Sequence, residues 1–168
     1  MRKLTLLLTV VLLITFSDKS KAQIEEHQAT FVYNFTRLVQ WPDLHTEEAF
    51  VIGVYGSREG ITQALESTAG ERNVAGLSIR IEEYSSADEI EHCHILFVSN
   101  RGLRDISEVT NAIGGEPVLI VTENQGRHPS GSMINLSVIN DRLGLHLDSD
   151  LAEGNGLVIS SQLANFAR

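Results

Sequence analysis

The sequence predicts an α/β protein, a three-layer α/β/α sandwich with a mixed central sheet and a C-terminal β-hairpin plus helix. Three observations carry that reading. Short apolar runs, "AFVIGVYG" (49–56), "CHILFVS" (93–99) and "PVLIVT" (117–122), recur between stretches of helical spacing, and a strand buried on both faces reads as such a run. An amphipathic helical pattern precedes the first of them. Two alternating runs, "SMINLSVIN" and "RLGLHLD", follow the last, as strands with one wet face do.

The elements follow in chain order. Ile24, Phe31, Phe35, Leu38 and Val39 recur at helical spacing from 24 to 40, and Glu25 and Glu26 stand in the first turn, where the helix dipole favours acid. Pro42 disfavours helical geometry at Trp41 and ends the helix there. The run at 49–56 is a buried strand closed by glycine, 59–68 is a helix, and "LSIRIEEY" (77–84) alternates as a half-wet strand. A second buried strand covers 93–99. A helix then runs from 103 to 113 with a Gly114-Gly115 stop, and 117–122 is the third buried strand. "NQGRHPSG" (124–131) is a turn-rich loop, the alternating runs form a hairpin joined at Asn140-Asp141, and 156–167 is apolar at helical spacing.

The first residues stand apart from this pattern. Arg2 and Lys3 form a positive n-region, Leu4 to Phe16 is apolar but short for a bilayer span, and Ser20-Lys21-Ala22 suits a signal peptidase. Residues 1–22 are expected to be a cleaved signal peptide, leaving 23–168 as one exported domain with no membrane insertion of its own. Removing Arg2, Lys3, Lys19 and Lys21 from 13 basic residues, and Asp18 from 22 acidic ones, leaves 9 against 21, a formal charge of −12. That balance disfavours nucleic acid and anionic lipid as partners. Cys93 is the only cysteine, so no internal disulfide is available, and its apolar surroundings in sequence favour an inert thiol.

Signals for chemistry are sparse. Gly53 and Gly56 in "GVYGS" lie where a phosphate can meet a helix N-terminus, but the dinucleotide fingerprint is incomplete, and a plain strand-to-helix turn is the simpler reading. In "HCH", a strand would put His92 and His94 on one face and Cys93 on the other, so the three cannot grip one ion. A His pair with a remote carboxylate is the version that survives, and no second spaced cluster supports it. His128 reads as a solvated loop residue. There is no G-x-S-x-G elbow, and Ser160 and Ser161 sit in an apolar run where bonds to local backbone are expected. No catalytic residue, cofactor or metal is assigned.

Five segments together resemble the YfiR family of exported bacterial proteins: "ATFVYNFTRLVQWP" (29–42), "FVIGVYG" (50–56), "CHILFVS" (93–99), "PVLIVTENQGRHPSGSMINL" (117–136) and "GLVISSQLANFA" (156–167). They occur in the family's order across nearly all of the expected mature chain. The resemblance implies an α/β fold and a homodimer in the periplasm. It also implies a regulator that holds an inner-membrane diguanylate cyclase inactive through its periplasmic sensor domain, so that release raises cyclic di-GMP and biofilm formation. Two departures stand out. The single cysteine cannot reproduce the disulfides of the well-studied member, and "RLGLHLD" replaces an Arg-Phe-Glu-like strand after the hairpin turn.

Three functions are weighed on this basis. The first is a binding module for the sensor domain of a membrane signalling protein, with Tyr33, Trp41, Tyr55, Arg101, Arg104 and Arg127 as candidate partner-binding residues, since aromatic residues and Arg dominate interface energetics. The second is a periplasmic small-ligand sensor working at the "GVYG" edge or the "NQGRHPSG" loop, or an accessory protein for a membrane histidine kinase. An enzyme is the third. Trp41, at the corner between helix and strand, is read first as an anchor and second as a binding platform.

Overall fold

The computed structural model describes residues 22–56, 59–139 and 142–167. The expected signal peptide (1–22, all but its last residue) and the Asn140-Asp141 turn lie outside them. Helix α1 covers residues 22–38 and gives way to β1 (Val39–Gln40). A strand, β2 (Ala49–Tyr55), a helix, α2 (Glu59–Ala69), and two strands, β3 (Asn73–Val74) and β4 (Leu77–Tyr84), come next. The chain continues through β5 (Ile95–Val98), a 3-10 turn (Gly102–Asp105), α3 (Ile106–Ile113), β6 (Leu119–Glu123), β7 (Ile134–Ile139) and β8 (Arg142–Leu147). It ends with α4 (Ser149–Gly154), β9 (Val158–Ile159) and α5 (Ser161–Phe166).

Seven strands form one mixed sheet in the order β3-β4-β2-β5-β6-β7-β8. The five inner strands run parallel, and β3 and β8 close the edges antiparallel. The α/β class with a mixed sheet is therefore as predicted. Alternate residues of the central strands feed two separate cores. Ile52, Val54, Ile95, Phe97, Leu119 and Val121 join Val32 and Phe35 of α1, Leu65 of α2 and Leu163 of α5 in the larger one. Val51, Tyr55, Leu96, Val98, Val118 and Ile120 pack with Val109 and Ile113 of α3 in the smaller one. A strand exposes successive side chains to opposite faces, which is why strands apolar at every position can serve both.

Two boundaries differ from the sequence reading. The first helix stops at residue 38 instead of reaching Gln40, because Val39 and Gln40 pair antiparallel with Ile159 and Val158 in a separate two-stranded sheet. For the same reason the apolar segment 156–167 is not one helix: Leu157 to Ile159 extends, and Ser160 is the N-cap of α5, its hydroxyl accepting the Leu163 N–H at 3.2 Å. The short helix α4 was not legible either. Asp148 caps it by accepting from the Leu151 N–H at 3.0 Å. The Gly114 stop is where expected, with φ of 63°, a conformation in which glycine avoids a Cβ clash.

Candidate partner-binding surface

The most constrained residues of the signature segments meet at one point. Trp41 is buried, and its indole N–H donates to the His94 carbonyl at 2.8 Å. The indole also stands edge-on to Phe50 with ring centres 5.0 Å apart. The same His94 carbonyl accepts the Leu119 N–H at 2.9 Å, and the His94 N–H donates to the Val51 carbonyl. The His94 ring stacks on Phe50 at 4.5 Å, and its Nδ1 accepts the Val51 N–H at 3.1 Å. His94 thus supplies an acceptor for Val51 just before the β2–β5 ladder begins at Ile52 and Ile95. Burial and the neighbouring His92 lower its pKa, so the ring is held neutral. The Trp-Pro corner and the Cys-His-Ile strand entry are therefore one structural joint.

The "HCH" stretch divides as expected: Cys93 falls in the smaller core, while the His94 ring lies against Phe50 of the larger one. Exposed His92 has its Nε2 at 3.3 Å from Glu47 Oε1 and its Nδ1 at 3.8 Å from Glu116 Oε2. Glu47, His92 and His94 bring three potential ligand atoms within 4.8 Å of one another, the His pair with a remote carboxylate. The tautomer argues against using them together. Because His94 Nδ1 already accepts a backbone N–H, the neutral ring carries its proton on Nε2, and an ion would need a lone pair there. Burial pushes the Cys93 thiol up to about 12, as for an inert core cysteine.

The six residues proposed from sequence fall in four places. Tyr55, Arg101 and Arg104 line one cleft of about 440 Å³ beside the last residues of β2 and β4, with Tyr84 and Asp105. Tyr55 itself is buried, and its hydroxyl donates to Asp105 at 3.2 Å. Burial, then that carboxylate, raises its pKa. The glycines there serve packing: a Cβ on Gly56 would stand 2.6 Å from the Gly102 nitrogen, and one on Gly102 would stand 2.6 Å from the Tyr55 ring. Ser99 donates its hydroxyl to the Gly56 carbonyl and ties the two turns together. Tyr33 is half-buried on α1 under the Arg72 guanidinium, 4.7 Å from its ring centre. Trp41 is in the core joint, and Arg127 is exposed in the loop after β6.

Sequence reasoning passed over a different surface. A groove of about 470 Å³ runs between α1, α5 and β8, lined chiefly by Phe31, Phe35, Leu38, Leu145, Leu163 and Phe166, with Arg37 at its edge. Phe31 lies 6.0 Å from Phe166 and 6.4 Å from Phe35. Phe166 is 64% exposed, and Val158 of β9 is 57% exposed. Apolar side chains presented this way mark binding surfaces more often than isolated exposed residues do. The available signal was the width of the apolar stripe on α1: Phe31 and Leu38 extend it beyond Val32 and Phe35, which face the sheet.

Among the described residues no helix is long and apolar enough to cross a membrane. No curated protein matches the chain. The family profile described as YfiR/HmsC-like (DUF4154) matches residues 25–168, from the first turn of α1 through α5. With that coverage, the chain belongs to the YfiR/HmsC-like family.

Proposed function

We propose that this chain is a periplasmic regulatory protein that binds and restrains the periplasmic sensor domain of an inner-membrane diguanylate cyclase, and so limits cyclic di-GMP and biofilm formation. Membership of the YfiR/HmsC-like family over 25–168 carries the reading. The aromatic groove between α1 and α5 supports it, because aromatic anchors around a desolvated centre supply most of the energy of an interface. Arg37 lines that groove beside Phe31 and adds a cation to it, whereas Tyr33, two residues on from Phe31, stands under Arg72 on another side of α1. Arg101, Arg104 and Arg127 are exposed cations elsewhere on the domain that suit an acidic partner. The same surface could join two copies, and a homodimer belongs to this proposal.

The test is co-purification from detergent-solubilised membranes with mass spectrometry of the captured proteins. A diguanylate cyclase recovered with the wild-type chain and lost with Phe166→Asp is the expected result. A folded, abundant chain that brings down no membrane signalling protein would overturn the proposal. A histidine kinase in the cyclase's place would keep the regulator and change its target.

A second reading rests on the cleft of Tyr55, Arg101 and Arg104, which lies where ligands bind in open α/β sheets. A small anionic ligand held there would raise the melting temperature by mass action. A thermal-shift screen with envelope metabolites in which none stabilises the protein would leave the cleft to packing.

A further inference from the structure

From the pairing of His128 with His146 we infer a bis-imidazole site for a divalent transition ion, Cu²⁺ or Ni²⁺, between the loop after β6 and the edge strand β8. Sequence reading placed His128 as a solvated loop residue, and nothing in it connected the two. In the fold their ring centres are 4.3 Å apart, with planes inclined at 44°. His128 Nε2 stands 2.7 Å from the Ser132 carbonyl oxygen. A carbonyl only accepts, so Nε2 carries the proton and Nδ1 is a lone pair. That Nδ1 is shielded from solvent and has no hydrogen-bond partner among the described residues. A buried acceptor left unpaired costs free energy, and an ion would relieve it.

This is the arrangement a ligating histidine needs, one ring nitrogen fixed by a backbone carbonyl and the other free to donate. It is the reverse of His94, whose lone-pair nitrogen Nδ1 already accepts the Val51 N–H. The second imidazole comes from β8, where His146 is exposed opposite Asn135 of β7. It can turn its own lone pair to the ion and leave the remaining positions to water. Ring centres 4.3 Å apart are close enough for one ion to be held by a nitrogen of each imidazole, at metal–nitrogen bonds of about 2.0–2.1 Å. Two imidazoles completed by water give the nitrogen and oxygen donor set of a tetragonal ion, hence Cu²⁺ or Ni²⁺ before Zn²⁺. The adjoining cleft is lined by Arg127 and Asp148, opposite charges whose effects on an approaching dication offset each other.

Titration of tag-free protein with CuCl₂ at neutral pH, followed by calorimetry and by electron paramagnetic resonance, tests the site. One equivalent should bind with hyperfine coupling to two nitrogens. His146→Ala, at an exposed position, should weaken binding at least tenfold, and His128→Ala should do the same, while His92→Ala leaves it unchanged. If His128→Ala fails to fold, His146→Ala decides alone. Binding unaffected by His146→Ala, or abolished by His92→Ala, would overturn the inference. So would ¹⁵N spectra of the metal-free protein placing the His128 proton on Nδ1.

Discussion

Replacing Trp41 with alanine tests the joint on which the sheet and its first helix depend. The side chain is 7% exposed. Nearly all of the roughly 150–250 Å² that an aromatic residue buries is therefore removed from water, worth about 4–6 kcal/mol before entropy is subtracted. Its N–H bond to the His94 carbonyl adds about 1 kcal/mol net, and losing it does not orphan the carbonyl, which keeps the Leu119 N–H. Alanine retains a little of the burial and regains side-chain freedom, so the expected loss is about 3–5 kcal/mol, in the range of other aromatic truncations. Trp41→Phe keeps a ring beside Phe50 and should cost about 1–2.5 kcal/mol, which separates shape from hydrogen bond. Urea denaturation followed by far-ultraviolet circular dichroism is the assay, because the substitution removes the only tryptophan fluorophore. A loss below about 1 kcal/mol for Trp41→Ala would refute the anchor and return the residue to a partner-binding role.

The other predictions concern reactivity, packing, pH and binding. Cys93, with its thiol pushed up to about 12 by burial, should resist thiol reagents in native buffer and react only in denaturant; rapid native labelling would contradict its placement. Gly53→Ala should destabilise by about 1–3 kcal/mol, because the new methyl would lie 2.6 Å from the Tyr84 ring and 2.9 Å from Leu96; a variant melting at the wild-type temperature would show that these side chains yield freely. The folded-state pKa of His94 lies below its unfolded value, so its contribution to stability is complete above about pH 6.5 and is lost as pH falls towards the folded pKa. Stability curves from pH 7.5 to 5 should therefore slope downward on the acid side, and His94→Gln should flatten that slope. Phe166→Asp should change stability by less than about 0.5 kcal/mol, since the ring is 64% exposed, yet abolish membrane-partner capture. A large loss of stability would mean that the groove is part of the core.

Local chemistry alone specified most of the sheet and most of the helices. The strand at 49–55 is continuously apolar, and 77–84 alternates, so each declares both its conformation and its burial within a few residues. The helix at 59–69 and the Gly114 stop likewise need no distant partner to be read. Two-residue strands such as Val39–Gln40 and Val158–Ile159 carry no period, and they exist because segments more than a hundred residues apart come into register. The site residues divide along the same line. Trp41 announced itself by type and by the proline beside it, but its acceptor is a carbonyl 53 positions away. The groove of Phe31 and Phe166 and the His128–His146 pair arise where distant segments pack. Periodicity reports which face of an element is apolar; whether that face meets the sheet, a partner or another imidazole is decided by which elements pack together, and only the tertiary structure shows that.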